Sequence, residues 1–261
     1  MTNSIDENNS IEQIKKLCTP HNEMSSWHLS EKLFNMPRSV SGQANIETLE
    51  TIKSFLGAIP FEIKGFDNDN YFSWSKPSFW SHKTASIKSC DGKLLLSTDD
   101  NLLHLLMHSC PFKGRIPKDQ LINHLFLDDN PNLIPYRTSY YKENWGFCVT
   151  KEQFDIITSF DEVDINIETK LENKPVPYGE CILKGNTDKE ILITSYICHP
   201  SMANNELSGI LLVVRLIKSL YLLKEKGVLP FTIRFLLAPE TFGSIAYISE
   251  NFTDLKKILK E

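Results

Sequence analysis

The sequence predicts an α/β fold in which a parallel-strand core occupies residues 179–261, a helical portion precedes it at 1–62, and a mainly β module is inserted at 63–178. Three observations carry this. Glu190 to Cys198 reads as an apolar run of strand length and Phe231 to Ala238 as a second buried strand, separated by a long apolar helix. Ile46, Leu49, Ile52, Phe55, Leu56 and Ile59 recur at three- and four-residue steps, the spacing of one buried helix face. Between these regions aromatics, prolines and polar turns punctuate short β-type runs.

Taken in order, amphipathic stretches at Ile11–Leu17, Trp27–Phe34 and Ile46–Ile59 predict helices, the third ending at Pro60. Thr84–Ser89 and Lys93–Ser97 predict a hairpin across Asp91-Gly92, a two-residue turn signal. Leu102–Met107 reads as a strand and Pro117–Leu127 as a short helix with proline at its first position. Ala203–Lys226 is the long helix, closed by Gly227, and a further helix starts after Gly243. Strand, helix, strand, helix implies parallel neighbours, and in such sheets ligands bind at the carboxyl ends of the strands.

Composition narrows the function classes. The chain has 261 residues with 28 Lys and Arg against 33 Asp and Glu, mixed along its length, so no basic stripe offers itself to nucleic acid. The polar, acidic start MTNSIDENNS lacks the apolar stretch of a secretory signal, and the longest apolar run is broken by Arg215 and Lys218. A cytoplasmic protein without a membrane span is expected. The six cysteines show no close pairing and read as reduced thiols.

Two polar loops fall at the strand ends. In ICHPSMANNELSG, residues 197–209, His199 directly follows the strand and Asn205 opens the helix six residues later, across a turn fixed by Pro200. Imidazole is a good zinc ligand, so a metal could bridge the two; alternatively, His199 bonds locally and Asn205 caps the helix. In LLAPETFGSIAY, residues 236–247, Glu240 emerges where the second strand stops. It suits a general base beside a metal, or a carboxylate at a helix start. His104 and His108, four apart, would share a helical face, but their run is equally strand-like. Tyr136, Tyr140, Tyr141 and Trp145 with Arg137 suit either a stacking surface for sugar or peptide or ordinary packing.

At these loops the sequence resembles zinc-dependent aminopeptidases of the aminopeptidase S and glutamate carboxypeptidase type. More closely, HPSMANNELSG, PETFGSIAY, IPYRTSYYKENWGFCVT (134–150) and RSVSGQANIETL (38–49) resemble bacterial aminopeptidase-like proteins often tied to surface-polysaccharide gene clusters. The resemblance implies a zinc-peptidase-like lobe with an inserted β module and metal-assisted hydrolysis of a peptide or aminoacyl substrate. It makes His199 the first zinc ligand and Glu240 the general base. Asn205 stands where the metal-bridging Asp would be and Thr241 where a ligand Glu would be, and Glu206 is the carboxylate that could replace the missing one. The resemblance places further Asp and His ligands beyond Glu261, so zinc is expected in a longer protein and this chain is expected to be a truncated, weakly active form. The rival expectation is a non-catalytic binding or assembly protein on the same fold. The sequence leaves room for homo-oligomeric assembly.

Overall fold

The computed structural model describes residues 23–258, so the helix expected at Ile11–Leu17 lies outside the described residues. The chain opens with α1 (Glu23–Phe34) and α2 (Gln43–Leu56). Then follow β1 (Glu62–Phe66), β2 (Asn70–Tyr71), β3 (Trp74–Ser75), β4 (Phe79–Ser89), β5 (Leu94–Ser97) and β6 (Phe112–Pro117). Next come α3 (Lys118–Leu121), β7 (Leu125–Phe126), β8 (Phe147–Cys148), α4 (Lys151–Thr158), β9 (Glu162–Glu172) and β10 (Val176–Leu183). The last elements are β11 (Thr187–Tyr196), α5 (Ser208–Glu225), β12 (Phe231–Ala238) and α6 (Phe242–Ile258).

Two four-stranded sheets organise these elements, in the orders β1-β10-β12-β11 and β5-β4-β9-β6. In the first, β11 and β12 run parallel while β10 is antiparallel to both β1 and β12, which makes the fold α/β with its parallel pair at one side of a mixed sheet. One face of this sheet packs on α1, α2 and α5 through Leu33, Leu49, Ile52, Ile210, Val213, Ile217 and the β12 residues Ile233, Phe235 and Leu237. The alternate β12 residues Leu236 and Ala238 pack on the other face with Phe242, Ala246 and Tyr247 of α6. Arg234, also on that face, is held by Glu180, Glu190 and the Tyr247 hydroxyl, and Lys64 joins Glu180. The second sheet is antiparallel and buries its own core of Ile87, Leu96, Val163, Ile165 and Ile167 against Leu121, Phe147 and Ile157. The two parts touch where Gly42 bridges Trp80; a Cβ on Gly42 would lie 2.3 Å from the Trp80 carbonyl oxygen, so only glycine permits this approach.

Several sequence expectations shift. α2 ends at Leu56 rather than Ile59, because Gly57 takes a positive φ of 65° and its N–H closes on Lys53. The hairpin between β4 and β5 is a three-residue loop, with Ser89 N–H donating to the Lys93 carbonyl and Gly92 at φ 89°. The strand expected at Leu102–Met107 is a short 3-10 turn at Leu102–His104 capped by Asn101; only Leu105 and Met107 make isolated bridges. Its apolar run was a poor guide because both structures bury such residues. The helix expected at Pro117–Leu127 stops at Leu121 and gives way to a 3-10 turn and β7, with Pro117 as the preceding cap. His104 and His108 share no helical face: His104 Nδ1 bonds the Cys148 carbonyl and His108 Nδ1 the Ser39 hydroxyl.

Candidate active site

β11 stops at Tyr196, and the chain passes through Ile197 and Cys198 to His199 before turning. Ser201, at φ 51°, makes the turn and donates its N–H to the Phe34 carbonyl. The helix expected from Ala203 begins as a π-type turn over Ala203–Leu207, kinked at Asn205 (φ −109°, ψ 79°), and becomes α-helical only at Ser208. That kink turns Glu206 inward, where it is buried, while Asn205 stays exposed. Asn205 caps nothing; its Oδ1 accepts from the Tyr196 hydroxyl.

Glu206 is the hub. Its Oε1 accepts from Arg38 Nε at 2.9 Å, while its Oε2 accepts from the Cys198 N–H and lies 3.1 Å from His199 Nδ1. Arg38, fully buried, also donates to the carbonyl of His199 through Nη2 at 2.7 Å and to that of Leu33. Burial lowers the Arg38 pKa, and the charge of Glu206 opposes that loss. Asn45 adds a bond from Nδ2 to the Ile197 carbonyl at 2.7 Å. Two residues of the N-terminal segment thus hold the backbone on either side of Cys198.

The Glu206 contact engages Nδ1 and leaves Nε2 as the ring nitrogen that faces Glu240. Nε2 lies 3.6 Å from Oε2 of Glu240, whose side chain is half exposed. Glu240 is presented by a tight turn after β12: Thr241 sits at φ 60°, an uncommon conformation for a β-branched residue, and Gly243 N–H returns to the Pro239 carbonyl. The Glu240 N–H donates to Cys198 Sγ at 3.3 Å, tying the second loop to the first. The Tyr136 ring packs 4.9 Å from the His199 ring, and its hydroxyl pairs with that of Tyr140 at 2.7 Å. Burial first, then neighbouring Tyr140 and Cys198, push the Tyr136 phenol well above its usual range, so it stays a neutral hydrogen-bonding group. Trp145, by contrast, is stacked between His124 and Phe112, a packing role.

Among the described residues, one group of three His, Cys, Asp or Glu side chains has ligand atoms within 4.8 Å of one another: Cys198, His199 and Glu240. Two donors bound to one tetrahedral zinc at about 2.0–2.1 Å stand about 3.3 Å apart, so the 3.6 Å between Nε2 and Glu240 fits a shared ion. The thiol fits less well. Burial, then the Glu206 charge, raises the Cys198 pKa well above the ordinary thiol value, and Sγ lies 3.4 Å from Nδ1, the nitrogen facing Glu206. Glu206 has both oxygens engaged, Asn205 is held by Tyr196, and Thr241 brings no carboxylate. The open side therefore offers two donors of a zinc shell.

Sequence reasoning placed His199, Glu206 and Glu240 in the loops that converge here, but singled out neither Arg38, Asn45 nor Cys198. The first two lie in the segment RSVSGQANIETL, whose polar residues sit beside an amphipathic helix with no local reason to be buried. Their partners in the loop after β11 are more than 150 residues away, so nothing in the local pattern marks them.

Over residues 27–260 the chain matches the family described as a domain of unknown function, DUF4910. It is 36% identical over 251 residues to a Clostridium acetobutylicum protein, named as a candidate polysaccharide biosynthesis protein with an aminopeptidase-like domain, covering 95% of this chain and 56% of the relative. The crystal structure of a candidate peptidase from the same organism superposes with a TM-score of 0.81 at 33% identity, over 97% of this chain and 57% of that one. The chain thus spans little more than half the length of these relatives. At the level of fold, BSAP, a zinc aminopeptidase from Bacillus subtilis, gives a TM-score of 0.55 at 14% identity over 87% of this chain and 64% of its own. An M28 peptidase precursor from Shewanella amazonensis gives 0.56 at 12% identity over 98% and 73%. The two loops, the buried Arg38–Glu206 pair and the sheet that carries them therefore sit on a zinc-aminopeptidase-like α/β fold, and the chain belongs to the DUF4910 family.

Proposed function

We propose that this chain carries part of the active site of a metal-assisted hydrolase acting on a peptide or aminoacyl substrate. The observation that carries the reading is the pairing of His199 Nε2 with Glu240 across 3.6 Å at the carboxyl ends of the parallel strands β11 and β12. His199 would hold zinc through Nε2. When bound, zinc polarises a carbonyl and lowers the pKa of water. Glu240, standing beside the ion rather than on it in this role, would take the proton of the attacking water and return it to the leaving amine. Glu206 is assigned to orientation: it fixes the His199 tautomer, and Arg38 fixes Glu206. Tyr136 walls the crevice beside His199. The peptidase names of the structural relatives support the substrate class, and the five described cysteines, all free, support a reducing, cytoplasmic setting. Among the described residues no helix is long and apolar enough to cross a membrane.

The short donor count favours one second reading, a binding or assembly protein that keeps the fold, in line with the name of the Clostridium relative. Zinc titration by calorimetry decides between them. Binding that falls about tenfold or more in Glu206→Gln, and is lost in His199→Ala, supports the hydrolase site. Chelator-sensitive cleavage of an aminoacyl reporter, lost in Glu240→Gln, supports the reaction. Identical titrations for parent and His199→Ala overturn the metal site.

A further inference from the structure

The outer face of the second sheet carries two lysines that lack a carboxylate. Val163, Ile165 and Ile167 of β9 point into the core, so Asp164, Asn166 and Glu168 point outward, and the register aligns their neighbours. Asp164 lies between Lys88 of β4 and Arg115 of β6, and Asn166 lies between Ser86 and Lys113. Arg115 takes both Asp164 oxygens, at 2.8 and 2.9 Å, which leaves Lys88 without the carboxylate directly across from it. An amide, Asn166, stands where an acid would balance Lys113. Glu168 gives its oxygens to Lys83 and to the Asn166 amide, and Lys113 acts on it only at a distance. Neither Lys88 nor Lys113 makes an ion pair or a side-chain hydrogen bond among the described residues. Lysine on an edge strand deters pairing, which accounts for Lys113 on β6 but not for Lys88 on the interior strand β4. Both lysines line a hollow of about 370 Å³ together with Ser86, Arg115, Asp164 and Asn166. Ser86 is only 9% exposed, and its hydroxyl has no hydrogen-bond partner among the described residues, so the hollow also offers an uncommitted neutral donor.

We propose that this hollow binds the phosphoryl group of a small phosphate monoester. Two uncompensated ammonium groups match its charge of about −1.5 to −2 at pH 7, whereas a carboxylate balances only one of them. The strands β4 and β6 stand about 9–10 Å apart with β9 between them, so one anion in the gap takes a contact from each lysine. Lysine serves here as a point charge, because the guanidinium fork of Arg115 is already spent on Asp164. The Ser86 hydroxyl donates a further bond to a phosphoryl oxygen. Asp164 and Glu168 flank the lysines and repel additional phosphates, which favours a single phosphoryl group over the backbone of a polymer. The proposal is independent of any catalysis at His199.

The test titrates the isotope-labelled 261-residue chain with inorganic phosphate and with glycerol phosphate at constant ionic strength, following backbone amide shifts by NMR. The expected result is saturable shifts centred on Ser86, Lys88, Lys113 and Asn166, with acetate weaker than either phosphate by about tenfold or more. Lys88→Ala and Lys113→Ala should each weaken phosphate binding about tenfold while leaving the thermal midpoint unchanged. Asp164→Asn should tighten it, since it removes a repelling charge and releases Arg115. Shifts that grow linearly without saturating overturn the proposal, as does binding that survives undiminished when both lysines are replaced. Equal affinity for acetate overturns the match to a doubly charged group. A single-stranded oligonucleotide that engages the same residues more tightly than glycerol phosphate assigns the face to a polymer backbone, and also overturns it.

Discussion

Two arginine–carboxylate pairs in this molecule have nearly the same length and opposite meanings. Arg38 meets Glu206 at 2.9 Å with both side chains fully buried, whereas Arg115 meets Asp164 through two bonds of 2.8 and 2.9 Å on the open face of the second sheet, with side chains 49% and 41% exposed. By geometry alone the exposed, bidentate pair looks stronger. Solvent reverses the order, because water screens Arg115 and can replace its partner, while no water replaces Arg38 at the buried Glu206 once it is removed. The pKa shifts run in opposite directions: the bond Arg115 donates to Asp164 raises Arg115, whereas burial lowers Arg38 despite Glu206. Surface pairs on a sheet face decorate the fold. A buried pair that also holds the backbone of His199 fixes the position of a candidate active-site residue.

Arg38→Ala breaks the comparison at its sharpest point. It leaves the buried Glu206 charge without its guanidinium, with only the Cys198 N–H and His199 beside it, and stability should fall by about 3–5 kcal/mol in urea denaturation. Arg115→Ala should leave the urea midpoint unchanged within error. Equal effects would mean that the two environments do not differ as the burial implies.

Buried titration separates the interior from the surface in a second way. His108, buried between Trp80 and Tyr140, is pushed down to about 4 by desolvation, so it is neutral in the folded chain at pH values where the unfolded chain takes up a proton. A depressed histidine therefore costs stability as pH falls from its ordinary value, about 6.5, toward about 4, with a limiting slope of about 1.4 kcal/mol per pH unit. His108→Gln should flatten the decline of stability over that interval when denaturation is followed as a function of pH. An unchanged slope would show that His108 protonates without hindrance in the folded chain.

The smallest effect compares two left-handed residues, one in each region. Thr241 beside Glu240 holds φ 60° with a β-branched side chain, while Gly92 in the β4–β5 turn holds φ 89° with open space around it. Thr241→Gly should raise stability by about 0.5–1 kcal/mol, and Gly92→Ala should lower it by about 1 kcal/mol, both read from thermal melts. A loss of stability in Thr241→Gly would show that the threonine side chain offsets its own strain through contacts.

The parallel pair β11 and β12 was legible because both strands are rich in apolar, β-branched residues and bounded by polar turns, and β12 falls where it was expected, at Phe231–Ala238. His199 and Glu240 were legible for the same reason: each is the first unusual residue after a strand stops. Glu206 was legible as a member of the loop and not as to role, since its direction depends on the kink at Asn205, which turns one carboxylate inward and its neighbouring amide outward. Leu102–Met107 misled because a short apolar run buried beside Phe147 obeys no period that distinguishes strand from turn.

What the sequence by itself determined is therefore the layered α/β order and the two loops at the strand ends, because hydrophobic periodicity and turn residues act over a few residues and are written locally. What only the tertiary structure decided is the set of partners. Arg38 reaches Glu206 across 168 positions, Asn45 reaches Ile197 across 152, and Tyr136 is carried onto His199 from a different part of the chain. Hydrogen bonds and ion pairs between such residues depend on where packing brings two segments together, and desolvation at that meeting point, absent from any local window, sets what each charge is worth.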